Sequence, residues 1–222
     1  MNEGIHLTSF KDGVPFDFAG NGQKMLLSWT DSRYHNAWLA LDRNHNGTID
    51  NVQEMFGIPT QPQLAGTEPS GWAALRIYDT PAYGGNGDGF IDPGDKIYSD
   101  LLLWIDENHD GISQPNELHH LAEMGVHRIK LQYNPIASYT DQFGNELEFE
   151  SFVQVVPFRL PGEQPRGKSP FATGVFEPQE RPAWDVNLRG VFLDPPPTTG
   201  APSLAPNAPT QNATPPPPNT LC

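Results

Sequence analysis

The chain of 222 residues is poor in cysteine and in positive charge, and it has no long apolar run. Its one cysteine, Cys222, is the last residue, so neither an intrachain disulfide nor a thiolate metal cage can form. Cysteine usage therefore assigns no redox compartment. Thirteen Lys and Arg stand against 27 Asp and Glu, a net charge of −14. Phosphate backbones are held by clustered Lys and Arg, so no nucleic-acid partner is expected. An acidic chain instead collects cations. The longest apolar run, residues 101–105, is far short of the roughly 20 residues that span a bilayer, and no membrane span is expected. The first six residues lack a basic segment followed by an apolar one, so no signal peptide is visible. The chain is then either cytosolic or a piece of a longer exported protein.

Composition divides the chain in two. Residues 195–222 carry no charge and are dominated by Pro, Ala, Thr and Asn. Such a segment cannot bury enough apolar surface to offset its ordering entropy, and a disordered, polyproline-rich tail is expected there. Residues 1–194 form the expected folded domain. The apolar stretches 37–41 and 101–105 are each followed by Asp and read as strands or short helices that deliver the chain into loops. Residues 115–125 read as a helix, with Pro115 in the first turn and Gly125 at the end. Residues 126–133 and 146–160 read as an antiparallel hairpin around the turn residues 141–145, because Leu147, Phe149, Ser151, Val153 and Val155 alternate.

One pattern recurs. Asp42, Asn44, Asn46 and Asp50 place oxygen side chains around Gly47; Asn86, Asp88 and Asp92 do so around Gly89; Asp106, Asn108 and Asp110 lead into Gly111. A hard cation such as calcium needs six to eight oxygens, and a short loop supplies them by turning alternate side chains inward. Glycine permits the sharp turn, and the next residue (Thr48, Phe90 or Ile112) contributes its backbone carbonyl.

These segments resemble EF-hand loops, and more closely the EF-hand-like domains of large, acidic bacterial calcium-binding proteins that are exported and associated with repeat-in-toxin proteins. The likeness covers roughly residues 4–160. It implies an α+β fold: calcium loops with short helices and strands, then a C-terminal antiparallel hairpin. Matched position by position, the first loop has Asp42, Asn44, Asn46, Thr48 and Asp50, but Gln53 stands at the twelfth position and Glu54 comes one residue late. Either Glu54 reaches in or a ligand is lost. The second has Asn86, Asp88, Phe90, Asp92 and Asp95, with Gly84 at the first position, so Asp79 is expected to take that place across a looped-out insertion. The third has Asp106, Asn108, Asp110, Ile112 and Glu117, with Gln114 at the ninth position. A fourth copy, from Asp17 to Gly22, has Ala19 at the third position and is expected to be a structural turn.

Neutral Asn at several positions places the expected affinity near 10⁻⁵ to 10⁻³ M, roughly that of sensors and extracellular modules. The adjacent His119 and His120 cannot form a zinc-protease helix pair, and His45 and His109 sit at fourth, non-ligand positions. Neither a nucleophile elbow nor a phosphate-binding glycine loop is present, and no pair of acids stands apart from the loops, so no enzyme is expected. The five Trp are scattered, with Trp38 and Trp104 beside the loops as core residues. The expected function is calcium binding through two or three of these loops, which stiffens an exported or surface protein, with calcium ions and a protein partner or parent assembly as partners. The alternatives are a dockerin-like module that grips a protein partner when calcium is bound, and a glycan-binding or hydrolytic domain that uses calcium.

Overall fold

The computed structural model describes residues 4–57, 69–156, 179–188 and 190–192. The expected tail, 195–222, lies outside them. The described residues form three small sheets rather than an α+β fold. The first sheet runs β1 (Val14–Phe16), β2 (Met25–Leu27), β11 (Gly190–Phe192). The second runs β3 (Trp38–Leu41), β5 (Leu101–Trp104), β6 (Leu118–His120). The third runs β10 (Gln179–Asn187), β9 (Glu146–Val155), β7 (Val126–Lys130), β4 (Phe90–Ile91), with β8 (Asn134–Thr140) also on β9. All the pairings between these strands are antiparallel. The single α-helix among the described residues, α1 (Gly71–Arg76), has six residues, and the other helical turns are of the 3-10 type. The expectation of an α+β fold is therefore corrected to a mostly β architecture.

Residues 115–125 supply the plainest correction. They make β6 and a tight turn instead of a helix. The carbonyl of Glu117 accepts the N–H of Ile105 at 3.0 Å, and Leu118 then pairs with Trp104, so ladder pairing with β5 overrides a local helical pattern. The expected hairpin is also revised. β7 and β9 are neighbours, but β8 comes between them in sequence, and the turn at 141–145 joins β8 to β9. The alternation of β9 holds in its first part, with Leu147, Phe149 and Ser151 buried between half-buried glutamates, whereas Val153 and Val155 are half-buried like their neighbours.

Two apolar clusters support this arrangement. Leu75, Ile91, Leu101, Leu121 and Ile129 centre one cluster, against which β9 packs. Phe16, Trp29, Ala40, Ile49 and Trp104 centre the other. Its rings interlock, with Trp29 and Trp104 centroids 5.3 Å apart and Phe16 5.2 Å from Trp29. An apolar cavity of about 590 Å³ is lined from both clusters, by Trp72 and Leu121 on one side and Trp38 and Met55 on the other. No helix among the described residues is long and apolar enough to cross a membrane.

Sheet order places the loops. Leu41 pairs with Leu101 and Trp38 with Trp104, so the loop after β3 starts at the end of the ladder where the chain enters β5. The loop after β5 starts at the other end and returns as β6.

Candidate metal centre

The three acid-rich segments share one backbone. In loop 1, Asp42 accepts the N–H groups of Asn46 (3.2 Å) and Gly47 (2.8 Å). In loop 3, Asp106 accepts those of Asp110 (3.1 Å) and Gly111 (2.9 Å). In loop 2 the same office falls to Asp79, which accepts from Gly87 (2.8 Å), Asp88 (3.2 Å) and Gly89 (3.0 Å). The insertion between Asp79 and Asn86 loops out through a 3-10 turn, Pro81–Tyr83, and returns at Gly85, where a Cβ would lie 2.1 Å from the Asp79 carbonyl carbon. The fourth and sixth residues of every loop are left-handed: His45 and Gly47, Gly87 and Gly89, His109 and Gly111. Glycine adopts that conformation without strain, whereas the two histidines hold it at a steric cost of roughly 1 kcal/mol or more each.

Each loop is closed by a buried carboxylate. Glu54 accepts the N–H groups of Arg43 (3.1 Å) and Asp50 (2.8 Å). Asp95 accepts those of Asn86 (3.1 Å) and Asp92 (2.8 Å). Glu117 accepts those of Glu107 (3.1 Å) and Gln114 (3.3 Å), and the Trp104 indole N–H lies 3.4 Å away. In loop 1 a 3-10 turn over Val52–Glu54 swings Glu54 inward. Gln53 points away, and its side chain lies against Gly20 of the turn that begins at Asp17. Glu54 thus closes the loop from one residue past the expected position.

Glu54, Asp79, Asp95, Asp106 and Glu117 are each at most 6% exposed, yet the one ion pair among the described residues joins Arg33 to Asp31. Burying a carboxylate without a cation costs several kcal/mol, and the loop N–H groups offset part of that. The other acids are met by amide groups. Asn46 and Asn44 donate to Asp50, Asn86 to Asp88, and Asn108 and Gln114 to Asp110. The hydrogen bond from Asn46, ahead of those from Thr48 and Asn44, holds the Asp50 carboxyl below its ordinary pKa. Burial pushes Asp95 up, with the charges of Asp79 and Asp92 adding to the effect against its two backbone N–H bonds.

Among the described residues no three His, Cys, Asp or Glu side chains gather closely enough to hold an ion by themselves. A calcium shell drawn from Asn and backbone carbonyl oxygens as well does not need such a trio. Gln114 at the ninth position supplies a test of fit. Its Nε2 donates to Asp110 at 2.8 Å while its Oε1 is buried without a partner. An orphaned oxygen beside a carboxylate is the donor set a hard cation takes up.

The segment from Asp17 to Gly22 has the same curl. Asp17 accepts from Asn21 (3.2 Å) and Gly22 (2.7 Å), and Gly20 and Gly22 are left-handed. It lacks an oxygen side chain at Ala19, and Ser28 stands at its twelfth position.

Two residues that sequence reasoning passed over join the loops. Ser113, 2% exposed, has its Oγ 2.6 Å from the N–H and 3.4 Å from the carbonyl of Ile49. Both occupy the eighth position, which is buried in every loop (Ile49, Ile91, Ser113). Ile112, by contrast, is 52% exposed. Aligning the eighth positions of the loops would have found this pair. The second residue is Arg43, which reaches from loop 1 to Tyr78, immediately before Asp79. His109 ties loop 3 to the N-terminal segment through the carbonyls of Asp12 (2.7 Å) and Thr30 (3.0 Å).

Residues 1–156 match the family model of the SPM domain. The chain belongs to the SPM domain family. All three loops and strands β1 to β9 lie inside the SPM match, while β10 and β11 lie beyond it yet complete the sheets of β9 and β2. The chain is also similar to the iron-regulated protein FrpA of Neisseria meningitidis serogroup C, at 35% identity over 136 residues. That match covers 60% of this chain but 12% of FrpA, so the chain spans only a small part of that relative's length.

Proposed function

We propose that this SPM domain binds calcium through its three acid-rich loops, and that the ions stiffen it as one module of a longer exported or surface protein. The observation that carries the reading is the set of five buried carboxylates without a cationic partner, each wrapped by the N–H groups of a loop with the same curl. Loop 1 would offer Asp42, Asn44, Asn46, the Thr48 carbonyl, Asp50 and Glu54. Loop 2 would offer Asp79, Asn86, Asp88, the Phe90 carbonyl, Asp92 and Asp95. Loop 3 would offer Asp106, Asn108, Asp110, the Ile112 carbonyl, Gln114 and Glu117. A bound cation cancels the repulsion among these acids, and its binding energy adds to folding stability.

Among the described residues the dockerin-like alternative has no free helix face to present, since α1 buries all of Gly71 to Leu75. The test is calorimetric titration of calcium into the chelator-stripped chain, with millimolar magnesium present. Saturable binding of two or three ions and a higher melting temperature are expected. Absence of both would leave the loops as Asp- and Asn-rich turns and overturn the reading.

A further inference from the structure

Arg43 follows the first acid of loop 1, and the contacts around it bridge two loops. Its backbone N–H donates to Glu54, the carboxylate that closes loop 1, and its Nε donates to the Gln53 carbonyl at 2.7 Å. Its Nη1 donates to the hydroxyl of Tyr78 at 2.6 Å, 35 residues along the chain. The guanidinium also lies over the rings of Phe56 (5.6 Å) and Tyr78 (5.9 Å), which meet edge to face. Tyr78 adjoins Asp79, and it touches Tyr83 of the insertion that sets Asp79 into the first place of loop 2. Arg43 makes no ion pair among the described residues, and its Nη2 is buried without a hydrogen-bond partner, so no carboxylate contact accounts for a cation here. It grips the closing turn of loop 1 with one edge and the entry to loop 2 with the other.

We infer that Arg43 is a positioning residue that couples loop 1 to loop 2, so that loading one loop raises the affinity of the other; this rests on the calcium reading. An ion in loop 1 draws on Glu54. The Val52–Glu54 turn holds Arg43 through Glu54 and the Gln53 carbonyl, and the guanidinium links that turn to Tyr78, the residue before Asp79. The planar fork is needed, because a lysine could not bond the Gln53 carbonyl and the Tyr78 hydroxyl in this arrangement while also lying over two rings. By linkage the effect runs equally in both directions.

The test uses the amide resonances of Gly47 and Gly89 in the full chain, since each N–H donates to the first acid of its own loop and reports that loop alone. Calcium is titrated, and each glycine gives a midpoint. Asp42→Asn is expected to move the Gly89 midpoint to about fivefold or more higher calcium, and Asp79→Asn to move that of Gly47 by the same factor. In a Tyr78→Phe or Arg43→Lys background both displacements should fall below about twofold, while the Gly111 midpoint stays where it was. Tyr78→Phe removes only a hydroxyl, so folding is retained and the arm stays readable.

If Gly47 and Gly89 both respond to calcium but Asp42→Asn leaves the Gly89 midpoint unmoved, the coupling is overturned and calcium binding stands. Full coupling in Arg43→Lys would make the link one of charge alone and overturn the positioning role. If neither glycine responds to calcium, the calcium reading falls and this inference with it.

Discussion

The turn at Asp17 and the loop at Asp106 start with the same backbone and end as different objects. Both open on a carboxylate that takes the fifth and sixth N–H groups, and both are left-handed at the fourth and sixth residues. Loop 3 then goes on to Glu117, buried and holding two backbone N–H groups, whereas the Asp17 segment runs into β2 with no closing acid. The curl needs only an Asp and residues that tolerate a positive φ. An oxygen shell needs the third position and the closing carboxylate as well. The curl by itself is therefore a fold element, and the closing carboxylate is what makes it a candidate site.

Glu117→Ala gives this comparison its hardest test. It strips the acceptor from the backbone N–H groups of Glu107 and Gln114 and from the buried indole of Trp104, and should cost about 2–3 kcal/mol in urea denaturation without calcium. It should also remove one ion from the calorimetric count. Asp17→Ala should cost about 1–2 kcal/mol through its two lost hydrogen bonds and leave the ion count unchanged. An ion lost with Asp17 would break the distinction.

The glycines sharpen it further. A Cβ on Gly111 would lie 2.8 Å from Val14 Cγ2, whereas one on Gly22 would meet nothing within 4 Å, and both residues have positive φ. Gly111→Ala should therefore cost about 2–3 kcal/mol and Gly22→Ala about 1 kcal/mol in the same denaturation series. Restoring an oxygen with Ala19→Asp should add no calcium to the stoichiometry, because the closing acid is still missing.

The smallest effect lies between the two regions. The hydrogen bonds from Arg33 hold the Asp31 carboxyl down at about 2, from an ordinary value of 3.8. A lowered carboxylate adds stability that is present above pH 4 and is lost as pH falls toward 2. Asp31→Asn should flatten the stability–pH curve in that window, as followed by thermal melts. A curve as steep as that of the unaltered chain would assign the acid loss to other carboxylates.

The curl of the loops was legible because the hydrogen bonds that make it lie within a dozen or so residues. Asp at the first place, glycine at the sixth and an acid near the twelfth specify a curl whose hydrogen bonds close on themselves. The looped-out insertion before Asn86 was legible for the same reason, since only Asp79 stood near enough to supply the missing first place. The choice between Glu54 and Gln53 was not legible, because the turn that carries them is tied to a different part of the chain: the Val52 N–H donates to the Asp17 carbonyl, and the Gln53 side chain lies against Gly20. The helix expected at 115–125 failed for a kindred reason: its apolar spacing suits a helix, but β5 offers that segment a ladder.

By itself, then, the sequence determined where the loops lie, which acids open them and where the uncharged Pro-rich segment begins, because local hydrogen bonding and composition carry that information without reference to distant residues. Only the tertiary structure decided that the scaffold is three β-sheets, that Ser113 meets Ile49 across 64 residues and that Arg43 reaches Tyr78. Those contacts depend on which strands pair, and strand pairing joins residues far apart in the chain through backbone groups that every residue carries alike.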